Sequence, residues 1–90
     1  MNQAEFEADL RREGYEVYYG GQRPDQHTPE HGHGWDARLM VIGDDITITR
    51  GGKPETFRAG DTCTVPANEP HAEQVGPRGV AYIAGRRNAS

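Results

Sequence analysis

From Tyr15 onward, glycine and proline cut the chain into short segments rich in Val, Ile, Thr and Tyr, and little room is left for helix. The segments Tyr15–Tyr19, His31–Ile42, Ile46–Thr49, Glu55–Arg58, Thr62–Val65, His71–Val75 and Val80–Ala84 read as strands. Gly20-Gly21, Gly43-Asp44-Asp45, Gly51 to Pro54, Ala59 to Asp61, Pro66 to Pro70 and Gly76 to Gly79 read as turns. Residues 22–30, with two prolines, read as a loop. Only residues 3–12 carry a helical pattern: Phe6 and Leu10 form an i,i+4 pair, acidic residues lead, Arg11 and Arg12 trail, and Gly14 follows as a stop. The expectation is an all-β sandwich or barrel with a short N-terminal helix over an open end. It divides as helix over 1–14, barrel over 15–85 and a polar, frayed tail over 86–90.

A domain of 90 residues has one small core and a thin stability margin. The single cysteine, Cys63, rules out a disulfide within the chain, and nothing beside it in sequence would lower its pKa, so it reads as a small buried apolar residue. Extra stability must come from a metal, a second subunit or a closed sheet, and a homodimer is the expectation. The formal charge of −4, with basic residues scattered, argues against nucleic acid as a partner. No apolar run is long enough to span a membrane, and the free thiol with no export-type apolar stretch makes the cytoplasm the expected location.

Three of the four histidines and the only tryptophan fall between His27 and Trp35. His31 and His33 are one residue apart, so an extended backbone puts both imidazoles on one face, shared in strand phase with Trp35, Ala37, Leu39 and Val41. Asp36, Arg38, Met40 and Ile42 take the other face. Two neutral imidazoles on one face can hold a transition metal. The fourth histidine, His71, follows a second pattern that starts at Gly60 and runs through Pro66 and Asn68.

Together, His31-Gly32-His33 and the Gly60–Pro66–Asn68–His71 spacing resemble the two histidine motifs of the cupins, over about Asp25 to Val75. The resemblance implies a small RmlC-like cupin: a β-barrel or jelly roll, also described as a double-stranded β-helix. It implies a divalent transition metal (Zn, Fe, Ni or Cu) on His31, His33 and His71 at the barrel mouth. The departures are specific. Ala37 stands where the family carries a glutamate ligand, Asp25 and Asp44 replace motif-one glycines, Asn68 replaces a glycine and Val75 an asparagine. Asn tolerates the left-handed backbone such a turn needs. A fourth ligand, or a residue supporting the histidines, is sought among His27, Asp36 and Glu73, with Glu30 a weaker candidate; Trp35, Leu39 and Tyr82 are expected to line a pocket. Three roles fit: a metal-binding cupin with a small-molecule ligand, an Fe(II)-type dioxygenase or other small-molecule metalloenzyme, and a non-catalytic ligand-binding or structural cupin with a vestigial site.

Overall fold

The computed structural model describes residues 1–88. Its order is α1 (Gln3–Arg12), β1 (Glu16–Gln22), β2 (His27–His31), β3 (Trp35–Arg50), β4 (Lys53–Arg58), β5 (Thr62–Val65) and β6 (His71–Asn88). Helix α1 begins in a capping box, in which the Asn2 side chain accepts from the Glu5 amide at 2.8 Å and Glu5 accepts from the Asn2 amide at 3.1 Å. Among the described residues, no helix is long and apolar enough to cross a membrane.

Two long antiparallel strands, β3 and β6, form the spine. Outside β6 lie β1, on its Val80–Arg86 part, and β2, on its His71–Gln74 part. Outside β3 lie β5, on Ala37–Met40, and β4, on Asp45–Arg50. The sheet therefore has two four-stranded halves that share the spine strands.

The spine turns a corner between these halves. Register shifts occur between Val41 and Gly43 and between Asp44 and Ile46. Val41 and Ile46 both enter the same buried cluster although they are an odd number of positions apart, and Val75 and Val80 do the same on β6. In a regular strand an odd separation sends side chains to opposite faces, so the bulges bend each strand and bring both halves around one core. That core is Val41, Ile46, Ile48, Phe57, Cys63, Val65, Val75 and Val80, drawn from both halves.

The expected turns at Gly43–Asp45 and Gly76–Gly79 are thus corners inside continuous strands. Asp44 (φ 60°) and Gly79 (φ 86°) take the left-handed conformation there. Other expectations are also corrected. Gly20-Gly21 does not end β1, because both residues pair with β6. The loop at 22–30 contains β2, an edge strand whose register shifts across Pro29, where no amide is available to the ladder. The strand expected from His31 starts only at Trp35. The tail expected from residue 86 is strand through Asn88, with Arg86 paired to Glu16 and Asn88 to Trp35; Ala89 and Ser90 lie outside the described residues. The hairpin at Gly51-Gly52 is as expected, both residues having positive φ.

Helix α1 lies on the outer face of one half and does not close an open end. Phe6 and Leu10 are fully buried against Tyr15, Met40 and Ile83, which point outward from the sheet. Gly85 permits this approach: a Cβ there would stand 3.0 Å from both Leu10 Cδ2 and Tyr15 Cβ. Arg38 lies over the Phe6 ring and binds Glu13 at 2.8 Å, and Tyr19 donates to Glu7 at 2.6 Å.

Candidate metal centre

His31 ends β2, His71 begins β6, and the two are paired directly across the ladder. His33 comes from the short link before β3. The rings of His31 and His71 have centroids 4.4 Å apart, and that of His33 lies 5.2 Å from His71 and 6.0 Å from His31. One ligand nitrogen from each histidine lies within 4.8 Å of the others. His71 is buried, while His31 and His33 are half-buried at the mouth.

Each imidazole is oriented by the backbone. Nδ1 of His31 lies 3.0 Å from the Pro29 carbonyl, Nδ1 of His33 lies 3.0 Å from the Trp35 carbonyl, and Nδ1 of His71 lies 2.9 Å from the Glu69 carbonyl. A carbonyl oxygen only accepts, so the proton of each neutral ring sits on Nδ1 and Nε2 presents its lone pair. Three oriented lone pairs from borderline-soft nitrogen suit Zn, Fe, Ni or Cu and not Mg or Ca, and carbonyl contacts of this kind are those that support metal-bound histidines. The donor set fits a transition metal.

The loop of the second motif holds His33 in place relative to His71. Asn68, at φ 65°, donates its amide to the His33 carbonyl at 2.7 Å, which realises the left-handed position expected of it. Arg50 anchors the same loop through the Thr64 carbonyl at 2.8 Å and Glu69 at 3.1 Å. Asp36 faces this loop and not the histidines: its carboxylate accepts the Ala67 amide at 2.9 Å and lies 3.4 Å from Arg87. The Ala67 amide, seconded by Arg87, holds the Asp36 carboxyl below the ordinary carboxylate value. The folded-state pKa is the lower one, so this stabilisation is complete above about pH 4 and is lost as pH falls through the lowered value. Asp36→Asn is expected to flatten the acid limb of the stability profile, read by urea unfolding between about pH 2 and 5. An acid limb as steep as the parent's would count against the assignment.

The remaining candidates separate clearly. His27 is exposed, with Nδ1 3.2 Å from Gln74 Oε1, and takes no part in the cluster. Glu30 is exposed. Glu73 is close: its Oε2 lies 3.5 Å from His71 Nε2 and 3.7 Å from His31 Nε2. Trp35, Leu39 and Tyr82 line a cavity of about 180 Å³ beside the histidines, and Trp35 stacks on His33 at 4.4 Å. Ala37, Ile48 and Val65 add apolar wall; Gln22 and Glu73 make a polar one. Burial pushes the Cys63 thiol up, in keeping with a packing role.

Gln22 is the residue that sequence reasoning misses, because Gly20-Gly21 reads as the end of β1. Its signal is alternation: Tyr18, Gly20 and Gln22 share the inner face. A Cβ on Gly20 would lie 2.8 Å from Tyr82 Cε1, so glycine leaves space for that ring.

No family model and no curated protein matches the chain. Solved structures do. A protein of unknown function from Rhizobium leguminosarum bv. viciae 3841 is similar with TM-score 0.77 and 16% identity over 99% of this chain and 95% of that one. The Schizosaccharomyces pombe Cnp3 cupin domain is similar with TM-score 0.73 and 9% identity over 83% of this chain, which spans 53% of that one. A variant of salicylate 1,2-dioxygenase from Pseudoaminobacter salicylatoxidans is similar with TM-score 0.70 and 22% identity over 78% of this chain, which spans only 21% of the enzyme. The fold is the double-stranded β-helix of the cupins, with one short helix added at the N-terminus.

Proposed function

We propose that this chain is a metal-binding cupin that holds a divalent transition ion on Nε2 of His31, His33 and His71. The observation that carries this reading is the common orientation of the rings, each committing its Nδ1 proton to a backbone carbonyl. A bound ion would supply a Lewis-acid centre with positions left for a small ligand. The chain's own part is to hold the rings through the Pro29, Trp35 and Glu69 carbonyls, to tie the two motif loops together through Asn68 and Asp36, and to offer a partly apolar space beside them.

The test is metal content after purification without a histidine tag. Parent protein is expected to carry or take up one equivalent of Zn, Fe, Ni or Cu, and His31→Ala and His71→Ala to lose it. A parent that binds none of these ions sinks the reading.

The cavity favours a second reading, a small-molecule metalloenzyme of the Fe(II) dioxygenase type. A volume of about 180 Å³ with an apolar wall at Leu39, Ile48 and Val65 accommodates a compact organic ligand. The likeness to salicylate 1,2-dioxygenase supports this reading through the fold. Oxygen uptake by iron-loaded protein with small aromatic and aliphatic acids separates enzyme from binder.

A further inference from the structure

Glu73 and the two histidines beside it face one another in a way hydrogen bonding does not explain. Its Oε2 lies 3.5 Å from His71 Nε2 and 3.7 Å from His31 Nε2. With both rings neutral and Nδ1 committed to a backbone carbonyl, each Nε2 meets the carboxylate lone pair to lone pair. Such a gathering of acceptors is stable when a cation lies among them. Toward His31 and His71, though not toward all three histidines at once, the spacing suits one: two donors each about 2.1 Å from a tetrahedral ion stand about 3.4 Å apart.

We infer that Glu73 is the fourth ligand of the metal centre and that Gln22 is the residue that aims it. This rests on the transition-metal reading of the three histidines. The motif position at which a carboxylate is expected holds Ala37, whose methyl group only lines the cavity. The missing carboxylate is supplied by another strand. Glu73 follows His71 by two residues on β6, in the same strand phase.

Gln22 settles which oxygen faces the histidines. Its Nε2 donates to Glu73 Oε1 at 3.0 Å and lies 3.5 Å from the Tyr82 hydroxyl, leaving Glu73 Oε2 toward the rings. The amide has only this orientation, since a flipped Oε1 would oppose the carboxylate. In it, Gln22 Oε1 is buried without a partner. A buried, unpartnered carbonyl is costly, and here the other end of the amide is committed to Glu73. Three imidazoles and a carboxylate make a harder, more negative donor set than imidazole alone, which favours Zn²⁺ or Fe²⁺ over Cu⁺.

The experiment titrates Zn²⁺ and Co²⁺ into the full chain with any tag removed, reading affinity by chelator competition and coordination by the visible spectrum of the Co²⁺ form. Glu73→Gln keeps the shape and removes the charge. It is expected to lower affinity beyond the roughly 100-fold ceiling typical of residues that only support a ligand, and to move the Co²⁺ bands. Gln22→Ala is expected to lose roughly 10–100-fold while keeping the parent's band pattern, the mark of a positioning residue. On the parent chain itself, zinc loading is expected to shift a carboxylate stretch in the infrared difference spectrum, a readout that needs no variant to fold. Unchanged Co²⁺ bands in Glu73→Gln, or no infrared shift in the parent, overturn the assignment of Glu73 and leave the three-histidine centre standing. A parent that binds neither ion overturns the centre, and Glu73 with it.

Discussion

Zinc or cobalt at about a thousand times its dissociation constant is expected to raise the thermal midpoint of this chain by roughly 16–33 °C. Binding to the folded state alone adds about 4.1 kcal/mol at that excess. Each kcal/mol moves the midpoint of a domain this small by about 4–8 °C. The effect is large because the chain has few other supports: no disulfide, one modest core, and two of the three histidines on short elements at the rim. An ion held by His31, His33 and His71 would tie together β2, the link before β3, and β6. Calorimetry or scanning fluorimetry on tag-free protein reads the shift, and His71→Ala is expected to show none. Equal shifts in the parent and His71→Ala would mean that the ion binds elsewhere.

Phe6→Ala is expected to cost about 3–5 kcal/mol while leaving metal affinity unchanged. Phe6 is fully buried between α1 and the outer face of the sheet, packed with Leu10, Tyr15, Met40 and Ile83. Against a total of about 5–15 kcal/mol for a domain of ordinary stability, that is a large share. The site lies on the other face: Leu39, Ala84 and Tyr82 look into the cavity, whereas Met40 and Ile83, their neighbours in sequence, look toward the helix. Urea unfolding of the metal-free protein measures the first effect and chelator competition the second. A loss under about 1 kcal/mol would show that the helix is an appendage and not a second core.

The helix, the hairpin at Gly51-Gly52 and the histidine cluster were legible in the sequence because each is written in local chemistry or fixed spacing. Phe6 and Leu10 sit one turn apart with acidic residues leading and arginines trailing, and the run from Gly60 to His71 carries its own register. The corners were not legible. Gly43-Asp44-Asp45 and Gly76-Pro77-Arg78-Gly79 have the composition of turns, and only pairing between the two strands makes each a bend in a continuous element. Strand β2 was hidden by Pro29, which an edge strand tolerates and a central one would not. Asp36, weighed as a ligand, needed the Ala67 amide to reveal its task. Glu73 was visible through its phase with His71, but the residue that orients it sits beyond a pair of glycines that read as an ending.

The spine strand β6 also bears on the order in which this molecule assembles. It is the direct partner of β1, β2 and β3, and it lies C-terminal to all of them. When a ribosome has released residues 1–70, the histidine cluster lacks His71, β1 and β2 have no ladder to join, and the helix lacks Ile83 from its seat. The β3–β4 hairpin and the β3–β5 pairing are all the sheet such a nascent chain can form. Both cores and the centre therefore close together and late, over long loops, which is the regime of slow folding. Until that moment Met40, Val41, Ile46 and Ile48 of β3 lack the β6 residues that bury them in the folded chain.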